Sequence, residues 1–362
     1  MPRTESVSHG DLIVCMCGSQ EYTSRDAIEA ALFRGELNAK WKEFLRCVKA
    51  ERRADEFDIE LDDSAIADAA EAFRYEYELI TAEETEAWLA TRGLTLDDFT
   101  DYFTRRYCLE TLNEKIVPEQ IEYISATSEL RQLFLAELIL CGELDRMTTV
   151  LTFRLAARCA EKDSDSDAIM AEERKFFDRN KIEPAQLPNW LKRLGRDSNW
   201  FDEMVAMEAA FRRRCDTLLV PQARQQELVA LRLALTRFET EVIELESHDA
   251  AQEALFCVRE DGMSMEEVAI EGRYPYRRVD FLFEDIPSDV QQRFLSVSPG
   301  DVMEPAARGD GFELCRIIKK IEPQADHPTV GLRIEQRLID RHFSELASKY
   351  TERRLGGCIP TE

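Results

Sequence analysis

At 362 residues the chain is long enough for two or three domains with real hydrophobic cores. Its 47 Lys and Arg stand against 72 Asp and Glu, a net charge of -25, and a field of that sign repels nucleic-acid phosphates and anionic membranes. A neutral or basic polypeptide is the partner it attracts, and the same charge would also serve for solubility alone.

The opening residues, MPRTESVSHGDLIVCMCGSQ, hold an apolar run too short for a signal peptide. No stretch approaches the roughly 18 apolar residues of a membrane helix. The ten cysteines are scattered. Several, such as Cys47, Cys108 and Cys257, sit inside apolar helical patterns, where a thiol acts as a small hydrophobe. This fits a reducing cytoplasm and not a disulfide framework. Cys15 and Cys17 are a close pair, but His9 alone completes no zinc set, and the four histidines have neither metal nor triad spacing. No metal and no cofactor is expected.

Helical patterns fill most of the first 230 residues. SRDAIEAALFRGEL opens on a Ser cap and carries Ile28, Leu32 and Leu37 at helical spacing. NAKWKEFLRCVKAERRADEF places Trp41, Phe44, Leu45 and Val48 on one face. DDSAIADAAEAFRYEYEL follows. In TAEETEAWLATRG, Thr81 and Glu84 form a capping box and Gly93 ends the helix. The next helix is capped by Thr95 and stopped at Pro118. The programme then recurs: RGELNAKWKEFLRCVKAER (34–52) matches CGELDRMTTVLTFRLAARC (141–159), and EAWLATRGLTLDDF (86–99) matches PNWLKRLGRDSNWF (188–201). Trp88 pairs with Trp190, Gly93 with Gly195 and Phe99 with Phe201, and both copies end at Val-Pro, at 117–118 and 220–221. One helical module of about 100 residues is therefore expected twice.

From about residue 229 the periodicity changes. LRLALTRFETEVIEL begins as helix and ends as strand, and SHDAAQEALFCVREDGMSMEEVAIEG reads as helix, Gly turn and short helix. YRRVDFLFEDIP is extended, SDVQQRFLSVSPGD is a helix closed by Pro-Gly, and VMEPAARGDGFELCRIIKKIEP is a hairpin around Gly309-Asp310-Gly311. The order is β-α-α-β-α-β-β. An amphipathic helix, 330–355, closes the chain with Leu332, Ile334, Leu338, Phe343 and Leu346 on its apolar face.

That order, with S-P-G-D-V-x-E-P-x-x-x-x-D-G-F-x-L-x-x-I at 298–318, resembles the parvulin-type (PpiC-like) prolyl isomerase domains of SurA-like chaperones. The likeness runs over roughly 235–325, and the helical module containing A-E-E-T-E-x-W-L resembles the chaperone region of the same proteins. It is nearest to bacterial members encoded beside peptide maturation or export systems. The resemblance implies an α+β, mostly α, fold: duplicated helical modules at 1–125 and 126–228, a parvulin-like domain with a four-stranded antiparallel sheet at 229–325, and a C-terminal helix, 326–362, packing back on the helical modules.

It implies the chemistry less well. A parvulin's first-strand histidine falls at Phe238 or its neighbours, and its last-strand histidine falls at Glu313. Of the usual glycine-rich turn only Gly272 remains. The residues that grip proline fall in EDIPSDV, near Asp285 and Asp289. Phe294, Pro299-Gly300, Pro305 and Gly311 are kept. Isomerisation crosses a barrier of about 18–20 kcal/mol without forming a bond, so a gripping pocket can catalyse it without histidines. An apolar cup that has gained carboxylates is a poor pocket, since a buried charge is costly.

The reading is a cytoplasmic chaperone or scaffold holding an unfolded or precursor peptide, a basic one on grounds of charge, for maturation or export. Glu313, Asp285, Asp289, Phe294 and Phe238 are its candidate peptide-binding residues. An active prolyl isomerase, or a non-catalytic subunit docking to a peptide-modifying enzyme or exporter, stays open. Trp41, Trp88, Trp190 and Trp200 read as core, with peptide grooves as the alternative.

Overall fold

A computed structural model describes residues 12–112, 120–161, 165–309 and 311–354. The fold is α+β and mostly helical, with a four-stranded antiparallel sheet. The chain divides into two compact units, Met1–Asp216 with Arg341–Glu362, and Thr217–Asp340.

The first unit opens with a hairpin, β1 (Ile13–Cys17) and β2 (Gln20–Thr23), where the sequence patterns gave only helix. Gly18, at φ +61°, makes the turn between them; Gly-Ser between two short runs is a hairpin signal. The first helix, α1 (Ser24–Phe33), is capped by Thr23 in a box with Asp26, so the expected Ser24 cap lies one residue inside the helix. Then come α2 (Leu37–Glu56), α3 (Asp63–Glu76), α4 (Ala82–Thr91) and α5 (Leu96–Leu112). The capping box at Thr81–Glu84 forms as expected, and the expected Thr95 cap of α5 proves to be a box with Asp98. The Val-Pro stop at 117–118 lies outside the described residues.

The second series is α6 (Ser128–Leu140), α7 (Glu143–Ala160), α8 (Ser166–Asn180), α9 (Leu187–Leu194) and α10 (Ser198–Leu218). The two series punctuate alike. Thr23 and Thr127 cap α1 and α6, and Asp62 and Asp165 cap α3 and α8 through the same pair of backbone amides. Gly35 and Gly142 precede α2 and α7 at φ +74° and +73°; Gly93 and Gly195 follow α4 and α9 at +70° and +74°. These left-handed positions favour glycine.

The aromatic hubs repeat too. Phe73 meets Trp88 edge-on at 5.6 Å and Phe99 at 5.4 Å; Phe176 meets Trp190 at 5.3 Å and Phe201 at 5.0 Å. Trp190 is buried and Trp88 partly so. The two series share one core rather than closing one each: Phe33 stacks on Phe176 at 4.6 Å, and Trp41 meets Phe134 at 4.9 Å.

The second unit has α11 (Pro221–Ala230), β3 (Arg237–Leu245), α12 (His248–Arg259), α13 (Met265–Gly272), β4 (Tyr276–Leu282), α14 (Ser288–Ser296), β5 (Ala306–Arg308) and β6 (Gly311–Ile321). From β3 onward this is the expected β-α-α-β-α-β-β, in sheet order β4-β3-β6-β5. Of the hairpin tip, Asp310 lies outside the described residues. Gly311 is required by close approach, since a Cβ there would stand 2.7 Å from the Leu245 carbonyl oxygen. Alternation gives the sheet two buried faces. Ile243, Leu245 and Leu314 pack with residues of α12 and α13. Phe238, Val242, Cys315 and Ile317 pack with Phe283, Ile286, Phe294 and Met303.

The last helix, α15 (Pro328–Tyr350), runs through the division. Its Val330, Ile334 and Leu338 are buried with Leu235 and Leu282 in the second unit. Its Phe343 packs on Phe153 and Phe211 in the first, at 5.7 and 4.5 Å. Leu332, expected on the apolar face, is exposed instead. The helix ends in β7 (Thr351–Arg353), which pairs antiparallel with β1. Among the described residues no helix is long and apolar enough to cross a membrane.

Candidate functional site

The sheet face carrying Phe238 holds two of the five candidate residues, Phe238 and Phe294, in one apolar cluster. Phe238 is fully buried, with Phe294 edge-on at 5.6 Å and Phe283 at 6.0 Å. Ile286 and Met303 are buried in the same cluster. Lys320 spans it, with its ammonium 5.6 Å from the Phe238 ring and donating to the Phe294 carbonyl at 2.8 Å. Burial pushes the Cys315 thiol up to about 12, so it is no nucleophile at neutral pH. The EDIPSDV segment therefore sends Ile286 into the cluster, and neither aspartate enters it. The expected carboxylate-lined cup is an apolar cluster filled by the chain's own side chains. Admitting a proline would expose one of those large side chains, at about 1.5–3 kcal/mol each.

Glu313 lies on β6 two residues before Cys315, and so on the same sheet face, directly opposite Glu244. Arg277 donates to it at 2.7 Å and Arg308 at 2.8 Å, and Arg277 also pairs with Glu244 at 3.2 Å. Two carboxylates and two guanidiniums cancel. Asp285 takes Arg333 of α15 at 2.8 Å, and Asp289 is exposed on α14. Of the five sequence-derived candidates, the structure brings Phe238 and Phe294 together. The three acids occupy separate surroundings, two of them neutralised by arginine.

The first unit offers a different concavity, a cleft of about 790 Å³ lying between the two helical series. Trp41 of α2, Trp190 of α9 and, in the connecting segment, Tyr123 and Ile124 form its floor. Each is less than one-tenth exposed. The segment is pinned in place. Trp41 Nε1 donates to the Ile121 carbonyl at 2.6 Å, and Arg131 donates to the carbonyls of Tyr123 and Ile124 at 3.2 and 2.7 Å. Burial pushes the Tyr123 phenol up to about 12, so the floor is uncharged. On the rim, Arg193 is paired with Glu122 at 3.0 Å and also donates to Ser125. Lys42, Arg179 and Lys181 are exposed and carry no ion pair among the described residues.

Trp41 and Trp190 are core residues, as the sequence reads them, and they also line the cleft. Tyr123 and the rim cations were not legible in the sequence, because residues spread from 42 to 193 meet only through the crossing of two helical series. The described residues hold no cluster of His, Cys, Asp and Glu fit for a metal ion.

No family model and no curated protein matches the chain. Solved structures do. The peptidylprolyl isomerase PrsA of Bacillus cereus is 11% identical, at a TM-score of 0.34, over 59% of this chain and 85% of its own. The foldase PrsA of Streptococcus pneumoniae is 12% identical, at 0.28, over 94% of this chain and 91% of its own. One of two structurally related SurA-like chaperones of Campylobacter jejuni is 7% identical, at 0.19, over 60% and 88%.

Proposed function

We propose that the chain is a peptide-binding chaperone or scaffold that holds an unfolded or precursor polypeptide, without efficient prolyl isomerisation. The observation that carries this reading is the aromatic-floored cleft between the helical series. It is large enough for several side chains, and fixed indoles and a phenol bind apolar residues with little ordering cost. The filled cluster around Phe238 supports the second half of the reading, since a proline has to displace packed side chains to enter. Holding a client ahead of its maturation or export, in the cytoplasm, is the setting in which such a cleft without catalysis is useful.

Two measurements test the reading together. The protein should suppress aggregation of a chemically unfolded client at near-stoichiometric ratios. It should leave cis–trans exchange of a proline tetrapeptide at its uncatalysed rate. Catalysed exchange would make the chain an isomerase, and failure to suppress aggregation would remove the chaperone reading.

A further inference from the structure

The cleft of the first unit has a charge opposite to that of the whole chain. Lys42 stands on α2 beside Trp41, and Arg179 and Lys181 flank the end of α8 beside Trp190. The three are exposed and have no ion pair among the described residues, in a chain of net charge -25. Elsewhere in the same unit cations are mostly spent on internal pairs: Arg154 on Glu208, Arg196 on Asp26 and Glu29, Arg106 on Glu43 and Glu137. Lys181 also sits at φ +52°, a left-handed helix cap. That conformation favours glycine over lysine. Asn180 holds that end, donating to the Phe176 carbonyl at 3.0 Å and the Phe33 carbonyl at 3.3 Å.

We infer that this cleft takes a peptide segment that pairs an aromatic side chain with carboxylates: the ring lies against Trp41, Tyr123 and Trp190, and the acids meet Lys42, Arg179 and Lys181. The inference rests on the peptide-binding reading and narrows it. It reverses the expectation drawn from net charge, which favours a basic client. The long-range field of the chain repels an acidic peptide, but that field is screened over about 8–10 Å, whereas rim pairs act at contact. Exposed pairs are each weak, so three of them together give roughly tenfold in affinity.

The test compares three synthetic peptides with one Trp-Phe pair, flanked by three Glu, three Gln or three Lys, titrated by calorimetry into the full chain. The same titrations use the triple variant Lys42→Gln, Arg179→Gln, Lys181→Gln, whose changes are at exposed side chains. The Glu peptide should bind wild type roughly tenfold tighter than the Gln peptide, and the triple variant should lose that advantage while keeping its affinity for the Gln peptide. If Glu and Gln peptides bind wild type equally, if the Lys peptide binds tightest, or if the advantage survives in the variant, the inference is wrong and peptide binding stands. If none of the three peptides binds, and aggregation of an unfolded client proceeds unhindered, both readings fall. If none binds while aggregation is still suppressed, only the inference falls.

Discussion

The Sγ atoms of Cys17, at the end of β1, and Cys159, near the end of α7, lie 3.0 Å apart across 142 residues of chain. Burial, with Cys159 as the next cause, pushes the Cys17 thiol up to about 12, so it is protonated at neutral pH. Cys159 is exposed and is the sulfur a small disulfide reaches first. Exchange at Cys159 makes a mixed disulfide and frees one small thiol. Attack by Cys17 as thiolate then frees the second and leaves the internal bond.

Incubation with oxidised glutathione should therefore give one internal link, Cys17–Cys159, found by peptide mapping under non-reducing conditions. Closing a loop of that size adds about 5 kcal/mol in the chain-entropy model, so the oxidised protein should unfold at higher denaturant. Cys159→Ser should abolish both effects. Links scattered among other cysteines, or two thiols that stay fully alkylatable, would count against the pairing. The bond also bears on compartment, since it persists only where small disulfides outweigh thiols.

Phe73 and Phe176 hold equivalent places in the two helical series, and Phe176 is the more deeply buried, at 0% exposed against 7%. Truncation of either to Ala should cost about 3–5 kcal/mol in chemical denaturation, with Phe176→Ala at the upper end. Because the two series share a core, each variant should still unfold in one transition for the first unit. A Phe73→Ala cost below about 1 kcal/mol would mean that the α3–α5 hub contributes little.

Much of this architecture was legible because its signals are local. The capping box at Thr81–Glu84, the Thr95 cap, and left-handed glycines at 93 and 195 write element ends into a few residues each. Of the alternating run Phe312, Leu314 and Ile317, the first two do share a sheet face, whereas Ile317 lies on the other with Phe238. The N-terminal hairpin was missed because its strands are short, and β1 is completed by β7 from the other end of the chain. The site was less legible for the same reason. Whether Glu313 acidifies a groove depends on Arg277 and Arg308, which reach it from other strands. Whether Asp285 enters a pocket depends on Arg333, which lies on the last helix.

Glu51 of α2 is a half-buried acid with a sign that can be read from pH. Burial is the largest cause that raises it from the ordinary 4.5 to about 6, with Arg105 opposing and Asp101 and Asp55 adding. The native state thus binds this proton more tightly than the unfolded chain, so stability falls as pH rises from about 4.5 to 6 and stays reduced above. Glu51→Gln should remove that penalty. The variant should gain stability over wild type at pH 7, by less than about 2 kcal/mol because the group is partly solvated, and the gain should vanish near pH 4. A variant less stable at pH 7 would show that Arg105 dominates.

Glu313 remains the residue on which the isomerase question turns. Replacing it with Gln leaves Arg277 its second carboxylate, Glu244, and strands only Arg308, which is mostly exposed. The cost should be about 0.5–1 kcal/mol. Replacing it with His puts an imidazole beside Arg277 and Arg308 and opposite Glu244. That ring would face a cluster in which Phe238, Ile286, Phe294 and Met303 already occupy the space a proline needs. Glu313→His should therefore leave proline-peptide exchange at the background rate, measured by exchange spectroscopy on a tetrapeptide. Glu313→His combined with Phe294→Ala opens the space, but at about 3–5 kcal/mol of stability. Catalysis by the single Glu313→His variant at undiminished stability would show that the packed cluster is no barrier to substrate, and that the missing histidine alone had silenced the site.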